Sequence, residues 1–237
     1  CLAKAMPVVS EDGRVYDFEL RDDVSFSNGR KVTAHDLKYS LQRLASVRSK
    51  RSNLIKPIVG AEEAITASQK NQVISPEIRG IEVIDDLNLR LTLVEPYAPF
   101  IYNLAMVNTA AVPREVVDEV GDSFSRQPVG TGPFVLSEWK EGTSILLTAN
   151  KDYFEGAPRL AGIHYRVIPE SLPQLEEYKA GNFDVLAVTQ GIYPKWKKSD
   201  KADEVKSWPS LAVQYYGFNL EKEGSPYAGN SESARKL

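Results

Sequence analysis

The sequence predicts a mixed α/β architecture, in which antiparallel hairpins combine with amphipathic helices. Three observations predict it. Segments Ile81–Ile84 and Leu87–Leu93 alternate apolar and polar residues around Asp85–Asp86, the pattern of a hairpin with one wet face. Thr33, Ala34, His35 and Asp36 fit a capping box, and Leu37, Leu41 and Leu44 follow at helical spacing on one face. Ile163–Ile168, a helix over Leu172–Lys179 and the apolar run Phe183–Val188 read as strand–helix–strand, the last strand covered on both faces.

Composition agrees with a folded soluble body. The chain has 237 residues, about one and a half typical domains, enough to bury a core without a disulfide or metal staple. Lys and Arg number 29 against 32 Asp and Glu, a net charge of −3, and 42% of residues are hydrophobic. That balance offers no basic surface, so nucleic acid is not expected as a partner. The longest apolar runs, such as Ile145–Leu147, are far too short for a membrane-spanning helix. No charged-then-apolar leader opens the chain, so a signal peptide is expected to have been removed or to lie outside it.

The remaining elements follow in order. Glu11–Gly13 is a turn, and Val15–Leu20 is a half-buried strand. Ser27–Gly29 forms a second turn, with Phe26 as a buried plug. Arg43, Arg48, Lys50 and Arg51 crowd the C-terminal end of the first helix, where cations suit the helix dipole. Gly60–Ala67 reads as a short helix and Lys70–Pro76 as a loop. Phe100–Leu104 is a short helix, and Pro113 opens another. Phe134–Trp139 and Ser144–Thr148 form a second hairpin around Glu141–Gly142. Gly181 closes the helix that ends at Lys179. Ala212–Phe218 is a last strand, a polar tail follows it, and Ala234–Leu237 looks like the start of a helix.

Little in the chain suits catalysis or metal binding. Cys1 is the one cysteine, which excludes an internal disulfide and a cysteine-rich zinc site. Its reading as a lipidated first residue competes with that of an interior position exposed by where the chain begins, and the second is preferred. His35 and His164 are far apart, so each reads as a surface or sheet-face residue. Gly130-Thr131-Gly132-Pro133 lacks the spacing of a phosphate loop or dinucleotide fingerprint and reads as a tight turn before a strand. The pairs Asp22–Asp23 and Asp85–Asp86 lie at turns, where neighbouring carboxylates point apart. No Gly-x-Ser-x-Gly elbow is present. The expectation is a protein that is not an enzyme and carries no cofactor.

Taken together, the motifs resemble the family 5 extracellular solute-binding proteins, the receptors of dipeptide, oligopeptide and nickel ABC importers. Ser10–Arg21 reads S-x-D-G-x-x-Y-x-F-x-L-R, and Phe26–Asp36 reads F-x-x-G-x-x-x-T-A-x-D. Asp12, Gly13, Gly29, Thr33 and Asp36 are the fixed positions of these motifs. Glu95–Phe100, the P-x-G-T-G-P-F run containing Gly130, Thr131, Gly132 and Pro133, Asn150–Phe154 and Lys179–Asp184 follow in family order. Tyr216–Asn219 resembles the strand that passes toward a second lobe.

The resemblance implies a periplasmic-binding-protein-like fold, one lobe of a two-lobe clamshell that closes on its ligand. Residues 1–237 would be most of the first lobe, with an inserted subdomain at roughly 33–130 and the second lobe absent. Such a fragment is expected to bind ligand poorly by itself. The resemblance places three loops near the cleft: Arg51–Leu54, with Asn53 and Leu54; Met106, Val107, Asn108 and Thr109; and Thr189 with Gln190. Against this, Met106 could be core filler, and Asn108 and Thr109 could cap the helix after Pro113. Implied partners are a peptide or other small solute and the membrane permease subunits of an ABC transporter, with the receptor a monomer in the periplasm or on the outer face of the cytoplasmic membrane. A ligand-sensing domain of a regulator or chemoreceptor system and, more remotely, a hydrolase are the competing functions.

Overall fold

The computed structural model describes residues 1–46, 49–71, 75–188, 191–198 and 201–209. The predicted strand at Ala212–Phe218, the polar tail and the helix start at Ala234 lie outside the described residues. Two units are distinguished, Cys1–Pro169 and a second beginning at Glu170.

The first unit is organised by a four-stranded antiparallel sheet. β1 (Val8–Val9), β2 (Val15–Glu19), β3 (Ile81–Val83) and β4 (Asn88–Thr92) lie in the order β1-β2-β4-β3. Register follows the apolar alternation, with Tyr16 opposite Leu91 and Phe18 opposite Leu89. Leu89, Leu91 and Leu93 are at most 2% exposed. On the wet face Arg90 clasps Asp17 of the neighbouring strand, donating from Nε at 2.7 Å and from its second amino group at 3.0 Å. The predicted hairpin is therefore present, and the carboxylate of Asp85 accepts the amides of Leu87 and Asn88 in its turn. These bonds hold Asp85 below its ordinary pKa.

Two helices contribute to the core of this sheet. α1 (Ala34–Arg43) places Leu41 in the core, with Leu44 just beyond its end and Leu37 packed at its margin. α2 (Ala61–Asn71) contributes Ala61, Ala64 and Ile65, with Ser68 fully buried on the same stripe. The expected short helix ending at Ala67 thus runs a full turn further, and Lys70 and Asn71, expected in a loop, are helical. No Gly or Pro interrupts residues 61–71, and the buried stripe continues through Ser68, so nothing local stops the helix. Ile55, Ile58, Ile78 and Phe100 complete this core at 0% exposure.

A close backbone approach fixes how β3 begins. A Cβ added at Gly80 would stand 2.6 Å from the Thr92 carbonyl oxygen and 2.9 Å from the Val59 nitrogen. Only a residue without a side chain fits between these two backbone segments.

α3 (Phe100–Leu104) and α4 (Arg114–Val120) form as the prolines before them suggest. A smaller cluster of Val24, Phe26, Val32 and Ala111 lies apart from the main core, with Phe26 buried as expected. The second hairpin of the sequence becomes a three-stranded sheet, β5 (Phe134–Lys140), β6 (Ser144–Ala149) and β7 (Gly162–Arg166), in the order β5-β6-β7. No apolar side chain in these strands is fully buried, and His164 is exposed on β7.

The second unit contains α5 (Ser171–Lys179), which ends as predicted with the Gly181 amide donating to the Tyr178 carbonyl. α6 (Tyr193–Trp196) follows, and Trp196 packs edge-on to Tyr178 with ring centroids 5.5 Å apart. The predicted strand at Phe183–Val188 is not formed, and Val185 is 88% exposed. No described strand lies beside it to pair its backbone, and an apolar run becomes a strand only where its amides and carbonyls find a ladder. The strand–helix–strand unit expected here is corrected accordingly.

Candidate functional site

The family-like motifs touch one another, and what they build is scaffold. In the turn between β1 and β2, Ser10 Oγ donates to Asp12 at 2.6 Å and accepts the Val15 amide at 2.9 Å. Arg14 Nε donates to the other carboxylate oxygen of Asp12 at 2.8 Å. The serine hydroxyl and then the arginine pull the Asp12 pKa down to about 2. Gly13 takes φ +69°, where a side chain would be strained, and its hydrogen-side face stands against Pro96 of the Glu95–Phe100 motif. Tyr16 meets Phe100 edge-on at 5.5 Å.

The second motif closes around a buried charge. Gly29, at φ +89°, turns the chain so that the Phe26 amide donates to the Arg30 carbonyl. Arg30 then grips Asp36 with two hydrogen bonds of 2.6 and 3.0 Å and also reaches Glu115 of α4. Asp36 accepts the Thr33 amide at 2.9 Å and the Thr33 hydroxyl at 3.2 Å, so the predicted capping box is present. Asp36, with its carboxylate nearly enclosed, first raises the Arg30 pKa, and Glu115 adds to the effect. The guanidinium also lies 4.8 Å from the centre of the Phe26 ring.

The Gly130–Pro133 run forms the bend before β5. The Gly130 carbonyl accepts the Ser27 amide, and those of Gly132 and Pro133 accept the side chain and amide of Asn150. Neither glycine has positive φ, and a Cβ on Gly130 would meet nothing within 4 Å. Thr131 is half-buried, while Gly132 and Pro133 are exposed. These contacts give the run a structural part in joining the Ser27 and Asn150 motifs. The acidic pairs are likewise in structural use: Asp23 is held by Arg21 at 2.6 Å, and the Asp22 carbonyl accepts from Lys31.

The loops expected near a ligand behave differently. Ser52–Leu54 is a 3₁₀ turn that leaves Asn53 exposed and sinks the Leu54 side chain to 8% exposure. Val107–Thr109 is a second 3₁₀ turn after α3. Met106 is 45% and Val107 85% exposed, so Met106 is not core filler. Asn108 is exposed, and Thr109 Oγ1 bonds back to the carbonyls of Leu104 and Met106 at 2.8 and 2.7 Å, so it does not cap α4. Tyr102, on α3, is 73% exposed. The two loops are joined by Asn103, whose side-chain amide donates to the Leu54 carbonyl at 3.0 Å. Thr189 and Gln190 lie outside the described residues.

The chemistry these two loops can offer is neutral: amides, a hydroxyl, a thioether and apolar surface, with Arg51 at the edge of the first turn. Asn103 was not foreseeable from spacing, because the contact spans 49 positions. An open groove of about 1300 Å³ lies elsewhere, between α2 and the end of β4. Six of its lining charges pair among themselves, Arg14 with Asp12, Lys56 with Glu62 and Arg79 with Glu63. Among the described residues no group of three or more His, Cys, Asp or Glu could hold a metal ion.

The probable D,D-dipeptide-binding periplasmic protein DdpA of Escherichia coli is 26% identical over 90% of this chain, which spans 38% of that protein. The periplasmic oligopeptide-binding protein OppA of Salmonella typhimurium is 29% identical over 90% of this chain, which spans 40% of its length. Listeria monocytogenes OppA bound to peptide superposes with a TM-score of 0.75 at 25% identity, covering 84% of this chain and 40% of that one. The chain therefore spans about two fifths of the length of these relatives. Residues 1–231 match the family described as bacterial extracellular solute-binding proteins, family 5 Middle, and the chain belongs to that family.

Proposed function

We propose that this chain supplies part of the substrate-binding receptor of an ABC importer, which captures peptides or similar small solutes outside the cytoplasmic membrane. The receptor would work in the periplasm or on the outer face of that membrane and deliver its solute to the permease subunits. The observation that carries this reading is the family match over residues 1–231. The names of relatives such as the Salmonella OppA favour peptides as the solute.

Within the chain, Asn53, Met106, Val107, Asn108 and Thr109 form the ligand-facing set, with Leu54 anchoring the first turn. A neutral, partly apolar lining suits a peptide backbone and its side chains, which are recognised by amide hydrogen bonds and shallow pockets. The role is binding and not catalysis: the acidic pairs are engaged in turns, and the exposed loops carry no acid–base pair. Titration calorimetry of the intact protein against di-, tri- and oligopeptide pools tests the proposal. Binding at about micromolar affinity or tighter is expected. Heat from oligosaccharides or a nickel chelate but none from peptides would replace the solute class.

A further inference from the structure

We propose that Asn103 is a positioning residue that sets the distance between the two ligand-facing turns, and so the affinity for solute. This rests on the reading of those turns as ligand-facing. Asn103 sits on α3, one residue before its last position, and is half-buried. Its amide nitrogen donates to the backbone carbonyl of Leu54 at 3.0 Å. A carbonyl can only accept, so the amide nitrogen of Asn103 must face it.

The bond falls where it controls both loops at once. The Leu54 side chain is buried, and its amide closes the 3₁₀ turn that presents Asn53 by donating to the Arg51 carbonyl at 3.1 Å, while its carbonyl accepts from Asn103. Three residues after Asn103 begins the exposed stretch Met106–Asn108, and Thr109 folds back onto the Leu104 and Met106 carbonyls. With the Asn103 bond in place, the first turn, α3 and the second turn form one hydrogen-bonded series. Without it, the Leu54 carbonyl loses its side-chain donor, and the two turns are coupled only through packing. Ligand would then bind only the fraction of molecules that hold both turns in register, which weakens the apparent affinity by that fraction.

Asn103→Asp keeps the shape and removes the donor, and Asn103→Ala removes both. Each is measured in the intact protein with the tightest peptide from the calorimetry, beside Ile145→Ala in β6 as a variant that loosens the fold away from the loops. Both Asn103 variants are expected to bind about five- to tenfold more weakly, the worth of one net hydrogen bond. Amide exchange at Leu54 and Ile55 should be faster in the ligand-free protein, while Ile145→Ala lowers the melting temperature with affinity unchanged. Wild-type affinity in both Asn103 variants would overturn the proposal, as would an equal affinity loss in Ile145→Ala. Absence of peptide binding by the wild type is a separate result: it overturns the proposed function and takes this inference with it.

Discussion

The two sheets of the first unit obey the same antiparallel rules and end up in different conditions. In the sheet built from β1 to β4, Leu89, Leu91 and Leu93 lie at 1–2% exposure, with residues of α1 and α2 in the same core. In the sheet built from β5 to β7, the consecutive apolar residues Ile145, Leu146 and Leu147 point to both faces and stay half-exposed. Apolar content is similar, so what differs is the cover. A hairpin pattern specifies a pairing, and burial depends on a second element supplying the opposite surface.

That difference can be measured. Leu91→Ala should cost the most, about 4 kcal/mol, because the site is enclosed and cannot collapse. Ile145→Ala should cost about 1.5 kcal/mol, in proportion to the smaller area it removes from water. Urea denaturation of both variants checks the pair. Equal costs would mean that β6 is covered by chain outside the described residues, and the contrast would disappear.

Gly80→Ala comes next, at about 3 kcal/mol, because the new methyl would meet backbone atoms on two sides and neither is free to swing away. Ser40→Ala follows at about 2 kcal/mol. The Ser40 hydroxyl donates to the Asp36 carbonyl at 2.6 Å and accepts the Val112 amide at 2.9 Å, and its loss leaves buried polar groups unmatched. Thermal melts report both, and a loss below half the stated value in either would show that the surrounding backbone relaxes.

The smallest effect is a pH dependence confined to the turn of the first sheet. Asp12 has a folded pKa of about 2 against an ordinary 3.8. A depressed carboxylate stabilises the fold in its charged form, so its contribution is complete above about pH 4 and disappears as pH falls toward 2. The difference in melting temperature between wild type and Asp12→Asn should therefore be present at pH 7 and shrink steadily below pH 4. A difference that stays constant down to pH 2 would place the stabilisation in the shape of the turn and not in its charge.

Local chemistry made much of the first unit legible. The capping box at Thr33, the turn at Asp85 and the plug at Phe26 are each determined within about ten residues, and each is present. What was misread depended on partners elsewhere. Phe183–Val188 has strand composition, but among the described residues no strand pairs with it and it forms none. α2 ran past its expected end because Ser68, polar in sequence, is buried on the core stripe. The loops near Asn53 and Met106 were reached through family resemblance, and their physical connection, Asn103 to Leu54, has no signature in either segment. The motif residues Asp12, Asp36 and Gly130 are engaged in hydrogen bonds of turns and of neighbouring segments.

The Ser40 hydroxyl has one more consequence. It fastens the chain at Val112, just as Asn103 fastens it to Leu54 nine residues earlier. The stretch between them behaves as a short cable tied at both ends, its middle at Met106–Asn108 open to solvent. Two fixed ends limit how far the middle of such a cable can travel, so on the proposed ligand-facing reading they would set how large a solute fits against it.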